Sequence, residues 1–407
     1  MDKYIEALQL FSRNAKLMLT THLFDGFSYG ILVVILNLYL LAGGFQEDFI
    51  GLVQSVIMFS MAFMSFPAGI VSDRIGRKKS IMIGYTLNFI SIIGVALTIV
   101  PEIIITFRIL HGIGLSFIFV SLFPFLTENS TSKERIHLFS IDTAIYSGAI
   151  MAGNFLGGWL PTIFSRVLSV TEESLEAYRS SLLISAVLLS ICLLPLYLIR
   201  EKKSDTILSR NPFKNLVSKD FIIKFMIISV FVGIIYGLIS PFYNVFFKNQ
   251  LLASTGQIGT LYSLSEVAAV CAVVFSPFIV GVLGKVKSVT FLQILMVPFI
   301  MMMVLSYNIY VVGFAFLIKI SLESLTSPIY SNFVMERLKE QERASVNGMR
   351  NMIQNLAWGV ASIAAGILMA RGMYSAPFFI TSVLIVIAFS LFYIFFRKEE
   401  VVAGAGV

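Results

Sequence analysis

The sequence predicts an all-α integral membrane protein with twelve spanning helices in two six-helix bundles. Three observations predict it. Hydrophobic residues make up 57% of the 407-residue chain, charged residues 13%, and mean hydropathy is +0.88. A soluble domain is about half apolar and a quarter charged, so the excess here has to face lipid. The apolar residues fall into runs of about 20, the length a helix needs to cross the hydrocarbon core. The two halves of the chain also match each other at a nearly constant offset.

Taken in order, the runs are 17–41, 48–71, 79–100, 102–126, 137–163, 179–199, 221–247, 256–283, 288–306, 309–333, 345–370 and 375–396. An even number of crossings puts both termini on one side. The basic residues identify that side. Of 30 Lys and Arg, only Arg166, Arg179, Lys248 and Arg371 fall on the face opposite the termini, while Arg108 and Lys319 lie inside runs. Positive charge collects on the cytoplasmic side, so the expectation is a multi-pass protein of the cytoplasmic membrane with both termini inside. The longest polar stretch, 200–220, reads as a cytoplasmic linker between bundles at 1–199 and 221–407. The first 16 residues are polar and contain acids, unlike a signal peptide.

The internal match covers several helices. An offset of 208 carries Gly76-Arg77 onto Gly284-Lys285, Glu128 onto Glu336, and Glu134-Arg135 onto Glu342-Arg343. It also carries Ala149, Gly153 and Gly157 onto Ala357, Ala361 and Ala365. An offset of 207 carries Tyr29-Gly30 onto Tyr236-Gly237 and Asn37 onto Asn244. One coincidence would be chance, but a run of them indicates duplication. The second copy has lost one feature: Gly281 stands where Asp73 stands in the first.

Between the second and third runs lies Gly69-Ile70-Val71-Ser72-Asp73-Arg74-Ile75-Gly76-Arg77-Lys78-Lys79. Gly69 permits a close approach between helices, and Gly76 can supply a positive φ. Asp73 suits the free N–H groups of a helix N-terminus. The basic cluster alone would serve orientation, but the glycines and the aspartate at fixed offsets are not needed for that. The pattern G-x-x-x-D-R-x-G-R-K-K resembles the loop between helices 2 and 3 of the major facilitator superfamily of secondary transporters. That resemblance implies two bundles related as parallel repeats by a pseudo-two-fold axis along the membrane normal. They would rock around a cavity lined by helices 1, 4, 7 and 10. It also implies a cytoplasmic gate of Gly69, Asp73, Arg74, Gly76 and Arg77, with Arg77 reaching Glu128 and Asp73 at the start of helix 11.

Arg108-Ile109-Leu110-His111-Gly112-Ile113-Gly114 in the fourth run is similar to the superfamily pattern R-x-x-Q-G-x-G, with His111 in the Gln position. An arginine there has to face protein or water, or else snorkel to the interface. In the fifth run, Ala149, Gly153, Gly157 and Gly158 form a small-residue face that lets a partner helix approach closely. It is similar to the G-P-x-x-G-G element of the antiporter branch, with Asn154 replacing the proline, and generic packing explains it equally well.

The other charges within runs are Asp25, Asp142, Glu266, Lys319 and Glu323. Lys319 and Glu323 are spaced to neutralise each other. Asp25 and Glu266 have no sequence-local partner, so each is a candidate for taking up and releasing a proton. Asp25 with Arg108 matches the proton-linked members of the superfamily. Two transport readings follow: proton-coupled export of a hydrophobic or cationic compound, or proton-linked uptake of a sugar, organic acid or other metabolite. For uptake, Asn37, Asn244, Gln293 and Asn355 are candidate solute ligands. A non-transporting receptor or scaffold is the remote third. Cys192, Cys271 and the three histidines show no disulfide or metal spacing, and there is no phosphate-binding loop or nucleophile–base set. The expectation is a non-enzymatic monomer without cofactor, whose partners are a small molecule, protons and lipid, with no nucleic acid.

Overall fold

The computed structural model describes residues 11–132, 134–200 and 217–398. Both chain ends, Lys133 and most of the expected linker lie outside the described residues. The helices follow the apolar runs to within a few residues. In the first half they are α1 (Arg13–Ala42), α2 (Glu47–Ile75), α3 (Arg77–Ala96), α4 (Pro101–Glu128), α5 (Arg135–Leu168) and α6 (Leu175–Leu198). In the second they are α7 (Lys219–Leu251), α8 (Thr255–Val273 and Ser276–Leu283), α9 (Lys285–Leu305), α10 (Ile309–Arg337), α11 (Glu340–Ala370) and α12 (Ala376–Phe396).

Local chemistry sets the ends. The side chains of Ser12 and Ser174 accept from the N–H groups of Ala15 and Ala177, each at 3.2 Å, and so cap α1 and α6. Pro101 opens α4 where its missing N–H is no loss. Gly76 at φ 97° separates α2 from α3, and Gly284 at φ 78° separates α8 from α9. Pro241 sits in a 3₁₀ turn within α7, and α8 bends by 47° just before Pro277.

Ten of these helices are long and apolar enough to cross a membrane, or eleven when bent α8 counts as one span. The sequence predicted twelve. The exception is α5, a helix of 34 residues. It begins with Arg135 and His137, contains Asp142, and is rich in Gly, Ala, Ser and Thr through its middle. One face of it, Ala149, Gly153, Asn154, Gly157 and Gly158, is buried against other helices.

The chain forms two compact units. One comprises the described residues of Met1–Gln46, Val56–Leu208 and Ser254–Ser263. The other comprises those of Glu47–Ser55, Ser209–Ala253 and Leu264–Val407. The units depart from a simple half-and-half division at the first turns of α2 and α8. Glycines explain both departures. A Cβ on Gly51 would lie 2.4 Å from the Ser362 carbonyl oxygen, and one on Gly259 would lie 2.5 Å from that of Asn154. Gly51 and Gly259 are themselves 208 positions apart, so the departure obeys the internal repeat.

Within the first unit, α1 lies on α5 with backbones nearly touching. A Cβ on Gly30 would be 2.5 Å from the Ile150 carbonyl oxygen, one on Gly153 2.4 Å from that of Phe27, and one on Gly157 2.9 Å from Ile31 Cα. Ala149 meets Gly26, while Gly158 faces Gly259. In the second unit α7 lies on α11 in the same way. Gly233 faces Ala357, and Gly237 faces Trp358 and Ala361. Phe221, Phe225, Tyr330, Phe333, Phe392 and Phe396 interlock beside that contact. Cys192 is buried and Cys271 is exposed.

Gly30→Ala is expected to destabilise the protein by about 1–3 kcal/mol through overpacking. Gly148→Ala, where a Cβ would meet nothing within 4 Å, should be neutral or stabilising by up to about 1 kcal/mol through helix propensity. Thermal unfolding in detergent compares the two directly.

Candidate functional site

At the junction of α2 and α3, Asp73 in the last turn of α2 forms an ion pair with Arg77, the first residue of α3. The positive φ of Gly76 makes this tight reversal possible. Arg77 also reaches Glu128 at the end of α4, with Nε 3.5 Å from Oε1, and donates to Ser72 Oγ at 3.0 Å. Below it, Ser72, Ser121 and Ser80 are linked at 2.7 Å each, and all three are fully buried. Lys78 donates to the carbonyls of Tyr197 and Ile199 at the end of α6, at 2.9 and 2.7 Å. Arg74 is exposed. Gly69 has open space where its Cβ would be, so the close approach expected there is absent. Asp73 itself is turned onto Arg77. The serines were not singled out from sequence, because serines in an apolar run read only as small residues.

The second unit repeats this junction with fewer parts. Gly284 has the positive φ, and Lys285 Nζ pairs with Glu336 Oε2 at 2.5 Å. Gly281 supplies no carboxylate. Arg135 and Arg343, another repeat pair, each donate to carbonyls at the end of the preceding helix, Thr127 at 3.2 Å and Leu338 at 3.2 Å. Glu342 accepts from the backbone and side chain of Ser218 at 3.0 and 2.9 Å, which anchors the start of α7.

Inside the first unit, Asp25 of α1 accepts a hydrogen bond from Tyr85 of α3 at 3.0 Å. Asp142 of α5 stands against His22 of α1, with Oδ1 2.6 Å from Nδ1 but not aligned for a hydrogen bond. Sequence spacing shows no partner for Asp25 and none for Asp142. Both partners come from other helices and so leave no mark on local spacing. Arg108 is not snorkelling: it is 3% exposed, and His111 beside it is buried too. The structure does not pair Arg108 with Asp25.

Inside the second unit, Lys319 and Glu323 of α10 form the ion pair their spacing suggested. The ammonium lies 5.3 Å from the Tyr243 ring centroid, and Tyr236 is hydrogen-bonded to Glu323. Arg350, the repeat mate of Asp142, lies over the Tyr330 ring at 5.6 Å. Glu266 of α8 is half-buried. Asn37, Asn244 and Gln293 are buried, and Asn244 Oδ1 accepts from the N–H of Val245 at 2.9 Å. A cluster missed from sequence joins Glu47 at the start of α2, Asn249 at the end of α7 and Tyr374 in the turn before α12. Asn249 donates to Glu47 at 2.8 Å and to the Tyr374 hydroxyl at 3.0 Å, and Tyr374 donates to the same carboxylate. Burial and the bond to Glu47 push the Tyr374 hydroxyl up to about 12.

Comparison with known proteins gives a consistent result. The sequence profile of the Major Facilitator Superfamily matches residues 18–360 and 225–405. YncC of Bacillus subtilis (strain 168), named for metabolite transport, is 27% identical over 183 residues, which is 43% of this chain and 37% of YncC. YhjO of the same organism, described only as an MFS-type transporter, is 26% identical over 106 residues, 26% of each chain. The chain thus aligns with little more than a third of YncC and a quarter of YhjO. Among solved structures, the nucleoside transporter NupG has a TM-score of 0.73 at 17% identity, covering 95% of this chain and 100% of that one. A D-xylose–proton symporter has a TM-score of 0.73 at 17% identity, covering 94% and 97%. At these identities the likeness is one of fold.

Arg77→Gln is expected to destabilise the first unit by about 1–3 kcal/mol, because it leaves Asp73 and buried Ser72 without their donor. Lys285→Gln breaks a more exposed pair and should cost no more than about 1 kcal/mol. Thermal unfolding in detergent would rank the two; equal effects would mean that the network under Arg77 adds nothing.

Proposed function

The chain belongs to the Major Facilitator Superfamily, and from that premise we propose a proton-coupled carrier of a small polar metabolite. It works by alternating access in the cell membrane, with both termini in the cytoplasm. The family and the fold make it a multi-pass membrane transporter.

The observation that carries the proton reading is Asp25. It lies in a membrane-spanning helix and is held by a neutral phenol, Tyr85, with no lysine or arginine paired to it among the described residues. A carboxylate in that setting is costly and has an accessible neutral form. Proton uptake from one side and release to the other then needs only a change of exposure. Lys319 and Glu323, already neutralising each other, are less suited to that role. Glu266 is the second candidate.

The polar-metabolite reading is favoured by the named cargo of similar folds, nucleosides and D-xylose. The export reading drew on the small-residue face of α5. That face packs on α1, and its repeat mates in α11 pack on α7 in the same way. It is therefore a packing property of both halves and carries no information on direction. The α2–α3 junction supports a gating role for Asp73, Arg77 and Glu128, and its intact ion pairs weigh against a scaffold that has lost transport.

Reconstituted vesicles under an imposed pH gradient, offered a panel of nucleosides, sugars and organic acids, provide the test. Asp25→Asn should abolish gradient-driven accumulation while retaining exchange of labelled for unlabelled cargo; accumulation at the wild-type level removes Asp25 from the proton path. Asp73→Asn should reach the membrane in normal amount and lose most transport of both kinds; full transport removes the gate assignment.

A further inference from the structure

A charge inside a membrane bundle has to be paired or hydrated, and an arginine does not escape by losing its proton. Arg108 of α4 has no such pairing among the described residues of its unit. It is 3% exposed, and its Nε and Nη1 donors are buried with no hydrogen-bond acceptor. No carboxylate among the described residues forms an ion pair with it. The acids in the spans of its unit are engaged elsewhere: Asp25 by Tyr85, Asp142 by His22, and Asp73 and Glu128 by Arg77 at the far end of α4. One turn along the same face, His111 Nδ1 is likewise buried and without a partner. The groups that act electrostatically at this spot are the guanidinium itself, the imidazole and the phenol of Tyr29. Tyr29 is 43% exposed. A buried donor without an acceptor costs stability in the empty protein, and an arriving oxyanion would remove that cost.

We infer that Arg108 and His111 form an oxyanion subsite, and that the carried metabolite bears a carboxylate or phosphate that serves as the missing counter-ion. The inference rests on the carrier reading above and adds to it the chemical class of the cargo. It is incompatible with a cationic cargo at this position.

The test uses the purified full chain in detergent and four small probes of one shape: benzoate, phenyl phosphate, benzamide and benzylammonium. At about 100-fold above Kd, benzoate or phenyl phosphate should raise the unfolding temperature by a few degrees. Whichever acts separates carboxylate from phosphate recognition. Benzamide and benzylammonium should leave it unchanged. Arg108→Gln should unfold at a higher temperature than the wild type without ligand, and should lose the anion effect. Arg108→Lys keeps the charge but not the planar fork, so the anion effect should shrink; this variant decides the question if Arg108→Gln does not accumulate. His111→Gln should weaken anion binding several-fold. The subsite is overturned if Arg108→Gln unfolds earlier than the wild type, if either Arg108 variant keeps the full anion effect, or if benzamide acts as well as benzoate. Gradient-driven accumulation of a neutral sugar or nucleoside that is unaffected by Arg108→Gln would also overturn it and leave the carrier standing. Anion binding without flux of any carboxylate or phosphate would do the reverse.

Discussion

Everything in each unit depends on two helices lying backbone against backbone. In lipid, helices gain little from burying apolar surface, so close van der Waals contact and a few interhelical hydrogen bonds have to hold them. α1 and α5 achieve this through Gly26, Gly30, Gly153 and Gly157, and α7 and α11 through Gly233, Gly237, Ala357 and Ala361. That contact fixes the rotation of α1. It therefore fixes which way Asp25, Ser28 and Tyr29 face. Ser28 and Ser185 exchange hydroxyl-to-carbonyl bonds at 2.9 Å, adding α6 to the same frame. The polar groups of the first unit are thus placed by the residues that have no side chain.

The two units use one plan with different chemistry. Both have a glycine at positive φ followed by a basic residue paired with the same repeat-related glutamate, Glu128 or Glu336. Their interiors diverge. His111 and Lys319 are repeat mates, yet Lys319 has the opposite charge of Glu323 one turn away, while one turn from His111 stands the cation Arg108. Asp142 and Arg350 are mates of opposite sign. Duplication conserved the frame and left the charges free to specialise.

The fold was legible in the sequence because lipid imposes a length and a composition on every spanning helix, and because the duplication doubled each signal. α5 was the weak case, since its small residues pack well while scoring as barely apolar. The Arg77–Glu128 contact was expected only through the resemblance of the α2–α3 loop to a family pattern, while the Asp73–Arg77 pair, four residues apart, replaces the contact with helix 11 that the resemblance implied for Asp73. Partners supplied by other helices were not legible: Tyr85 for Asp25, His22 for Asp142, Asn249 and Tyr374 for Glu47. Helix rotation decides those encounters, and rotation comes from packing contacts far apart in the chain.

The serines beneath Arg77 have one more property. A guanidinium has only hydrogens to give, and the Phe117 carbonyl at the far end, 3.4 Å from Ser80 Oγ, has only lone pairs. With Ser121 giving its hydrogen to Ser80, Ser72 must give its own to Ser121. Every hydroxyl therefore points the same way, from α3's first residue through α2 to α4, and the row cannot reverse while the arginine stays. The ends of three helices are locked by a wire of fixed polarity, so the junction moves as one block or does not move.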